Sequence, residues 1–166
     1  MRVPIRKPGK YTHDKPDPHM TEEKYNEFKQ QLENIKKYSF FPAIEEVKRL
    51  SEMGDFSENA AYQMAKGRLR GINQKILDLE NHLKRAVIIK PARASAQLQL
   101  GQSVTIEIEG RERTYVILGS TETDPAQGII SHLSPIGAAL INRRVGETVE
   151  IRLKDKEVEC RIIAIS

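Results

Sequence analysis

The feature that most constrains this chain is a stripe of apolar residues, Tyr62, Ala65, Leu69, Ile72, Ile76, Leu79, Leu83 and Ala86, which steps 3,4,3,4,3,4,3 without a fault. Alternating steps of three and four put every member on one side of an α-helix and describe a coiled-coil seam more than three heptads long. A helix with a single apolar stripe must bury it against another element. Gly67 and Gly71 lie outside the stripe and weaken the helix a little.

The partner lies upstream. Thr21 is a good N-cap, Glu22 and Glu23 occupy the first turn where acids favour the helix dipole, and Tyr25, Phe28, Leu32 and Ile35 follow at 3-4-3 spacing. The segment Lys36-Lys37-Tyr38-Ser39-Phe40-Phe41-Pro42 interrupts the pattern, and Pro42 predicts a kink or break. Ile44, Val47 and Leu50 resume it up to Gly54. Two such helices joined by a short turn predict an antiparallel hairpin over residues 20–92. Arms of about 30 residues at 1.5 Å each reach about 45 Å.

The flanks differ in kind. Residues 1–19 carry Pro4, Pro8, Pro16, Pro18 and five Lys or Arg with hardly any apolar pattern, which reads as an extended basic tail of polyproline II character ending at Met20. His13, Asp14, Asp17 and His19 are metal-ligand types, but their irregular spacing favours the solvated tail. Beyond a linker at Lys90–Leu100 the period falls to two. Val104, Ile106 and Ile108 alternate with polar residues, as do Val149, Ile151 and Leu153, and Val158, Cys160 and Ile162 after a turn at Asp155-Lys156. Tyr115–Leu118 and Ile129–His132 are further strands, and Pro135–Leu140 is a short helix capped by Ser134. The chain is therefore α+β, a helical hairpin followed by a small, mostly antiparallel β domain over residues 93–166.

The turn between the helices reads Gly54-Asp55-Phe56-Ser57-Glu58-Asn59-Ala60-Ala61-Tyr62. Asp55 followed three residues later by Glu58 makes a capping box, and taken alone that is its simplest meaning. Two features of the context point further. A long arm displays its turn at a distance, and Phe56 between the acids has nothing of its own chain to cover it. Two carboxylates on a projecting turn can share a hard cation such as Mg²⁺, weakly, with a partner supplying the other ligands.

At the tip the chain fits the pattern G-D-x-x-E-N-A-x-Y at every fixed position. With the following Gln63–Ile72 and with Ser134-Pro135-Ile136-Gly137-Ala138-Ala139-Leu140-Ile141, it resembles the bacterial GreA/GreB transcript cleavage factors over residues 21–166. The basic character of Gln63–Ile72 looks more like GreB. The resemblance implies an FKBP-like second half that docks at the mouth of the RNA polymerase secondary channel, and a hairpin that enters it. It implies that Asp55 and Glu58 help hold a Mg²⁺ of the polymerase active site when backtracking extrudes the RNA 3′ end, so that the factor promotes cleavage without being an enzyme itself. Gly54, Phe56, Ser57, Asn59 and Tyr62 become tip support: Gly54 permits the turn, Asn59 and Tyr62 brace it, and Phe56 packs on polymerase or nucleic acid. Lys66, Arg68 and Arg70, with Lys48 and Arg49 on the facing arm as weaker candidates, become a basic patch holding nascent RNA by its phosphates. Three departures stand out. Ser51 occupies a position where many members carry Arg, the interrupted Phe40-Phe41-Pro42 region differs from the smoother arm usual in the family, and the tail has no counterpart in the family pattern.

Composition is consistent with this. A formal net charge of +4 and a pI near 9.2 suit a polyanionic partner without the excess of a DNA-coating protein. Cys160 is the lone cysteine, which excludes an internal disulfide and suits a reducing cytoplasm, and no apolar run has the length of a membrane span. A monomer is expected. One rival reading is a secondary-channel inhibitor that does not promote cleavage, against which both tip acids argue. Another is a prolyl isomerase, which needs an aromatic-lined pocket where the second half offers Tyr115 alone. A generic coiled-coil nucleic-acid binder leaves the acidic tip unexplained.

Overall fold

A computed structural model of the protein describes residues 17–52, 60–90, 96–152 and 157–166. The seam is realised as the spacing predicts. Helix α1 (Glu22–Ile35) and helix α2 (Phe41–Glu52) form one arm, and α3 (Ala60–Arg85) forms the other. Ala65 and Ile76 of α3 are buried, and the other seam residues from Tyr62 to Ala86 are half-buried. The cross-arm pairs Phe28–His82, Lys36–Glu80 and Glu46–Arg68 run in opposite chain directions, as an antiparallel hairpin requires.

At Pro42, where a kink or a break is expected, the interruption takes the form of a π turn. The helix does not break. Lys36–Phe40 widens into a π-helical turn, in which Phe41 N–H donates to the Lys36 carbonyl five residues back, and Pro42 becomes the second residue of α2. Proline has no N–H to give and its ring collides with the carbonyl four residues earlier, and a π turn is a way to absorb such a defect. The turn also inserts one residue into the seam. A strict heptad from Ile35 continues through positions 39, 42, 46 and 49, whereas the half-buried and buried apolar residues are Phe40, Ala43, Val47 and Leu50, with Glu46 half-buried at the flank. Ala43 therefore faces α3, and Ile44, expected on the seam, is 38% exposed.

The second half is a five-stranded sheet in the order β5-β4-β3-β7-β6, made of β3 (Ser103–Ile108), β4 (Arg111–Leu118), β5 (Ile129–Ser131), β6 (Thr148–Arg152) and β7 (Glu157–Ile165). Three of its pairings are antiparallel and β4–β5 is parallel. Alternation buries Val104, Ile106, Ile117, Val149, Ile151, Cys160 and Ile162 on one face, where Leu140 of helix α4 (Pro135–Leu140) covers them. Ser134 caps α4 by accepting from Gly137 N–H, as expected. Leu98, read from sequence as linker, is fully buried in this core, and its N–H and C=O pair with Arg143 and Asn142. Burial pushes the Cys160 thiol pKa up, against a lowering contact from the Val149 backbone. The expected turn at Asp155-Lys156 lies outside the described residues.

The tail also ends earlier than the sequence suggests. Strand β1 (His19–Met20) pairs in parallel with β2 (Val87–Ile88) at the root of the hairpin, and Met20 is fully buried. Asp17 is buried as well. Its Oδ2 accepts from Ser120 N–H (2.8 Å) and Ser120 Oγ (3.1 Å), and its Oδ1 accepts from His19 N–H (3.1 Å). Thr21, the N-cap of α1, donates its N–H and its hydroxyl to the Glu122 carboxylate while accepting from Lys24 N–H. Gly119 makes this approach possible: a Cβ there would lie 1.9 Å from the His19 carbonyl oxygen. The root of the arm is thus joined to the β domain by polar contacts spanning a hundred residues of chain.

Candidate functional site

The packed arm determines what the tip is mounted on. Leu50 at the end of α2 and Ala65 in the second turn of α3 are buried, and Tyr62 between them and the tip is half-buried. These side chains form the last seam layers below the connection. Ser51 donates its hydroxyl to the Lys48 carbonyl (2.6 Å), a contact within its own helix. Gly54, Asp55, Phe56, Ser57, Glu58 and Asn59 lie outside the described residues.

The expected basic patch resolves into two sides. Lys66, Arg68 and Arg70 are all exposed on α3. Lys66 and Arg70, four residues apart, share a face. Arg68 lies about 200° around the helix from Lys66, on the other flank of the seam. There its guanidinium pairs with Glu46 of α2 at 2.9 Å. That pair is open to solvent and adds little to stability. The Lys66 ammonium stands over the Tyr62 ring, 5.3 Å from its centroid, which couples the nearest cation to the residue expected to brace the tip. Lys48 and Arg49 are exposed on α2 and, as neighbours on a helix, point to different sides. The five cations therefore do not form one patch.

In the β domain, a cavity of about 200 Å³ is lined by Ile108, Arg111, Arg113, Tyr115, Ile136, Ile151 and others, with Tyr115 as its one aromatic. Two arginines and a single tyrosine do not make an aromatic-lined prolyl pocket.

Sequence reading names Asp17 and His19 as metal-ligand types but favours a solvated tail, and the structure corrects this: Asp17 is buried and His19 half-buried. Asp17, His19 and His132 converge where the arm meets the sheet. His19 Nδ1 lies 2.9 Å from Asp17 Oδ1, His132 Nδ1 lies 3.5 Å from Asp17 Oδ2, and the imidazole rings meet edge to face with centroids 5.2 Å apart. Burial raises the pKa of Asp17, but the hydrogen bonds from Ser120 and His19, with the charge of His132, outweigh it and leave the carboxyl below its ordinary value. Only the Asp17–His19 spacing is visible locally; His132 is brought in by the fold. Among the described residues, no helix is long and apolar enough to cross a membrane.

Comparison with known proteins matches both halves. The family model for the N-terminal domain of transcription elongation factors covers residues 19–88, and the GreA/GreB C-terminal model covers 93–166. Transcription elongation factor GreA of Geobacillus kaustophilus is 38% identical over 149 residues, spanning 88% of this chain and 94% of that protein. GreA of Macrococcus caseolyticus is 36% identical over 150 residues, spanning 89% and 95%. The crystal structure of Thermus aquaticus Gfh1 aligns at 27% identity over 88% of this chain and 96% of that one, with a TM-score of 0.40. On the two family models and these identities, the chain belongs to the GreA/GreB family of transcription elongation factors.

Proposed function

We propose that this protein is a cytoplasmic elongation factor that binds bacterial RNA polymerase through its secondary channel and stimulates cleavage of the nascent RNA 3′ end in backtracked complexes. The observation that carries the reading is the sequence Gly54-Asp55-Phe56-Ser57-Glu58-Asn59-Ala60-Ala61-Tyr62 at the turn of a long hairpin, in a chain matched by the family over both halves. The seam of the hairpin includes side chains as small as Ala43 and Ala65, which let the two arms approach closely there and suit entry into a confined passage.

Asp55 and Glu58 offer only carboxylate oxygens, the donor type that a hard cation such as Mg²⁺ takes, and two ligands from one chain leave the remainder to polymerase and water. When held there, the cation supplies positive charge to activate water and to stabilise the oxygens of the phosphoryl transfer. This chain's own residues do the positioning. The two acids would add negative oxygens to those that polymerase supplies. On this reading Gly54 permits the turn that presents them, Ser57 is part of the tip's support, and Asn59 and Tyr62 brace it, with Tyr62 half-buried under Lys66. Phe56 gives an apolar contact to polymerase or nucleic acid. Lys66 and Arg70 hold the phosphates of the extruded RNA on their shared face. The protein remains an activator of polymerase, with no reaction of its own.

The test is a stalled, backtracked polymerase carrying end-labelled RNA, assayed with and without the protein. Shortening of the RNA and resumption of synthesis are expected. Inhibited elongation with intact RNA is the outcome for a channel-plugging inhibitor, and it overturns the proposal.

A further inference from the structure

We infer that Asp17, His19 and His132 form a second metal site, of a different chemical class from the tip, that takes a borderline transition-metal ion such as Zn²⁺ or Co²⁺ and ties the root of the arm to the β domain. One carboxylate and two imidazoles are a donor set that suits Zn, Co, Ni or Fe, whereas Mg²⁺ and Ca²⁺ prefer all-oxygen ligands. One potential ligand atom from each residue lies within 4.8 Å of the others. Zn²⁺ bonded at about 2.0–2.1 Å to each donor holds tetrahedral ligands about 3.3 Å apart, so modest rotation of the two rings closes the set.

The surroundings are built as metal sites are built. The Asp17 side chain is 2% exposed, and its carboxylate is oriented by Ser120 N–H and Ser120 Oγ. Ser120 Oγ is in turn within 2.9 Å of Ser131 Oγ, so the ligand rests on a further hydrogen-bonded layer of the kind that fixes metal-binding carboxylates. The His19 and His132 side chains are 38% and 19% exposed, which leaves an open side for water or a further ligand. Asp17 and His19 come from the segment leading into the hairpin, and His132 follows β5 in the sheet. A metal held by all three closes a loop of more than a hundred residues and adds its binding free energy to the junction that already holds Thr21 to Glu122.

The full-length protein, stripped with a chelator and kept in Mg²⁺-containing buffer, is titrated with Zn²⁺ and with Co²⁺. One equivalent of either is expected to bind, with visible Co²⁺ absorption and a melting temperature that rises with free metal. His19→Gln and His132→Gln should each weaken binding by at least about tenfold, and His13→Gln should leave it unchanged. The zinc-edge X-ray absorption spectrum of the loaded wild type should show two imidazole ligands, and this readout stands even where a variant fails to fold. No saturable binding, binding that survives both His19→Gln and His132→Gln, binding lost on His13→Gln, or an edge spectrum of oxygen donors alone would overturn the inference.

Discussion

At the scale of single residues, the tip acids and the buried Asp17 make opposite demands on their surroundings. Asp55→Asn and Glu58→Gln keep the shape of each side chain and remove a ligand charge. Each is expected to abolish stimulated RNA cleavage in backtracked complexes while leaving polymerase binding largely intact, with little loss of stability, because Asn caps a helix about as well as Asp and Gln can replace Glu in a capping box. Undiminished cleavage by the double variant would reduce the pair to a capping box. Asp17 yields a pH prediction. Its folded pKa lies below the unfolded value because hydrogen bonds from Ser120 and His19 outweigh the cost of burial. A depressed carboxyl stabilises the fold fully above its unfolded pKa, near 3.8, and loses that contribution as pH falls through the lower folded value. Wild type should therefore lose stability on acidification more steeply than Asp17→Asn below about pH 4, measured by denaturant melts along a pH series. Parallel curves for the two proteins would show that Asp17 does not link folding to protons.

Element-scale effects concern register and face. The π turn at Lys36–Phe40 shifts the seam by one residue, so Ala43 is buried and Ile44 is outside it. Ala43→Leu should overpack the interface and cost about 1–3 kcal/mol, whereas Ile44→Lys should stay within about 0.5 kcal/mol. The reverse order in thermal melts would restore the uninterrupted reading of the arm. On α3, the opposition of Arg68 to Lys66 and Arg70 divides what sequence grouped together. Replacing Lys66 and Arg70 with Ala should reduce cleavage of long backtracked RNAs more than short ones, because a longer strand offers more phosphates, and raised salt should mimic the loss. Arg68→Ala, which chiefly removes an exposed pair with Glu46, should do neither. An equal, length-independent loss from both sets would point to a polymerase contact instead.

At the scale of the whole molecule, the proposed function assigns presentation of the tip to the arm and docking to the sheet. A fragment of residues 96–166, which retains the buried Leu98, should compete with the full chain for polymerase without stimulating cleavage. A fragment of residues 17–90 should retain weak stimulation at high concentration, because loss of the docking half lowers the effective concentration of the tip. Competition by the hairpin alone as strong as that of the intact protein, with none from the sheet, would contradict this division. The sequence alone determined the hairpin, the strands of the second half and the cap of α4, because periods of 3.5 and 2 and a Ser-Pro helix start are local patterns, whereas the short β1–β2 pair left no such mark. It also displayed Asp55 and Glu58, three residues apart within nine consecutive letters that carry the family resemblance. Other features were decided only in three dimensions. Pro42 announced a defect, but whether the helix breaks, kinks or widens depends on which register lets Phe40, Ala43, Val47 and Leu50 meet α3. The parallel pairing of β5, the burial of Leu98 and the side taken by each cation follow from packing. Above all, the convergence of Asp17, His19 and His132, and of Thr21 with Glu122, joins residues about a hundred positions apart. No periodicity records such contacts, since they exist only once a glycine at 119 lets the backbone of the arm's root lie against the sheet.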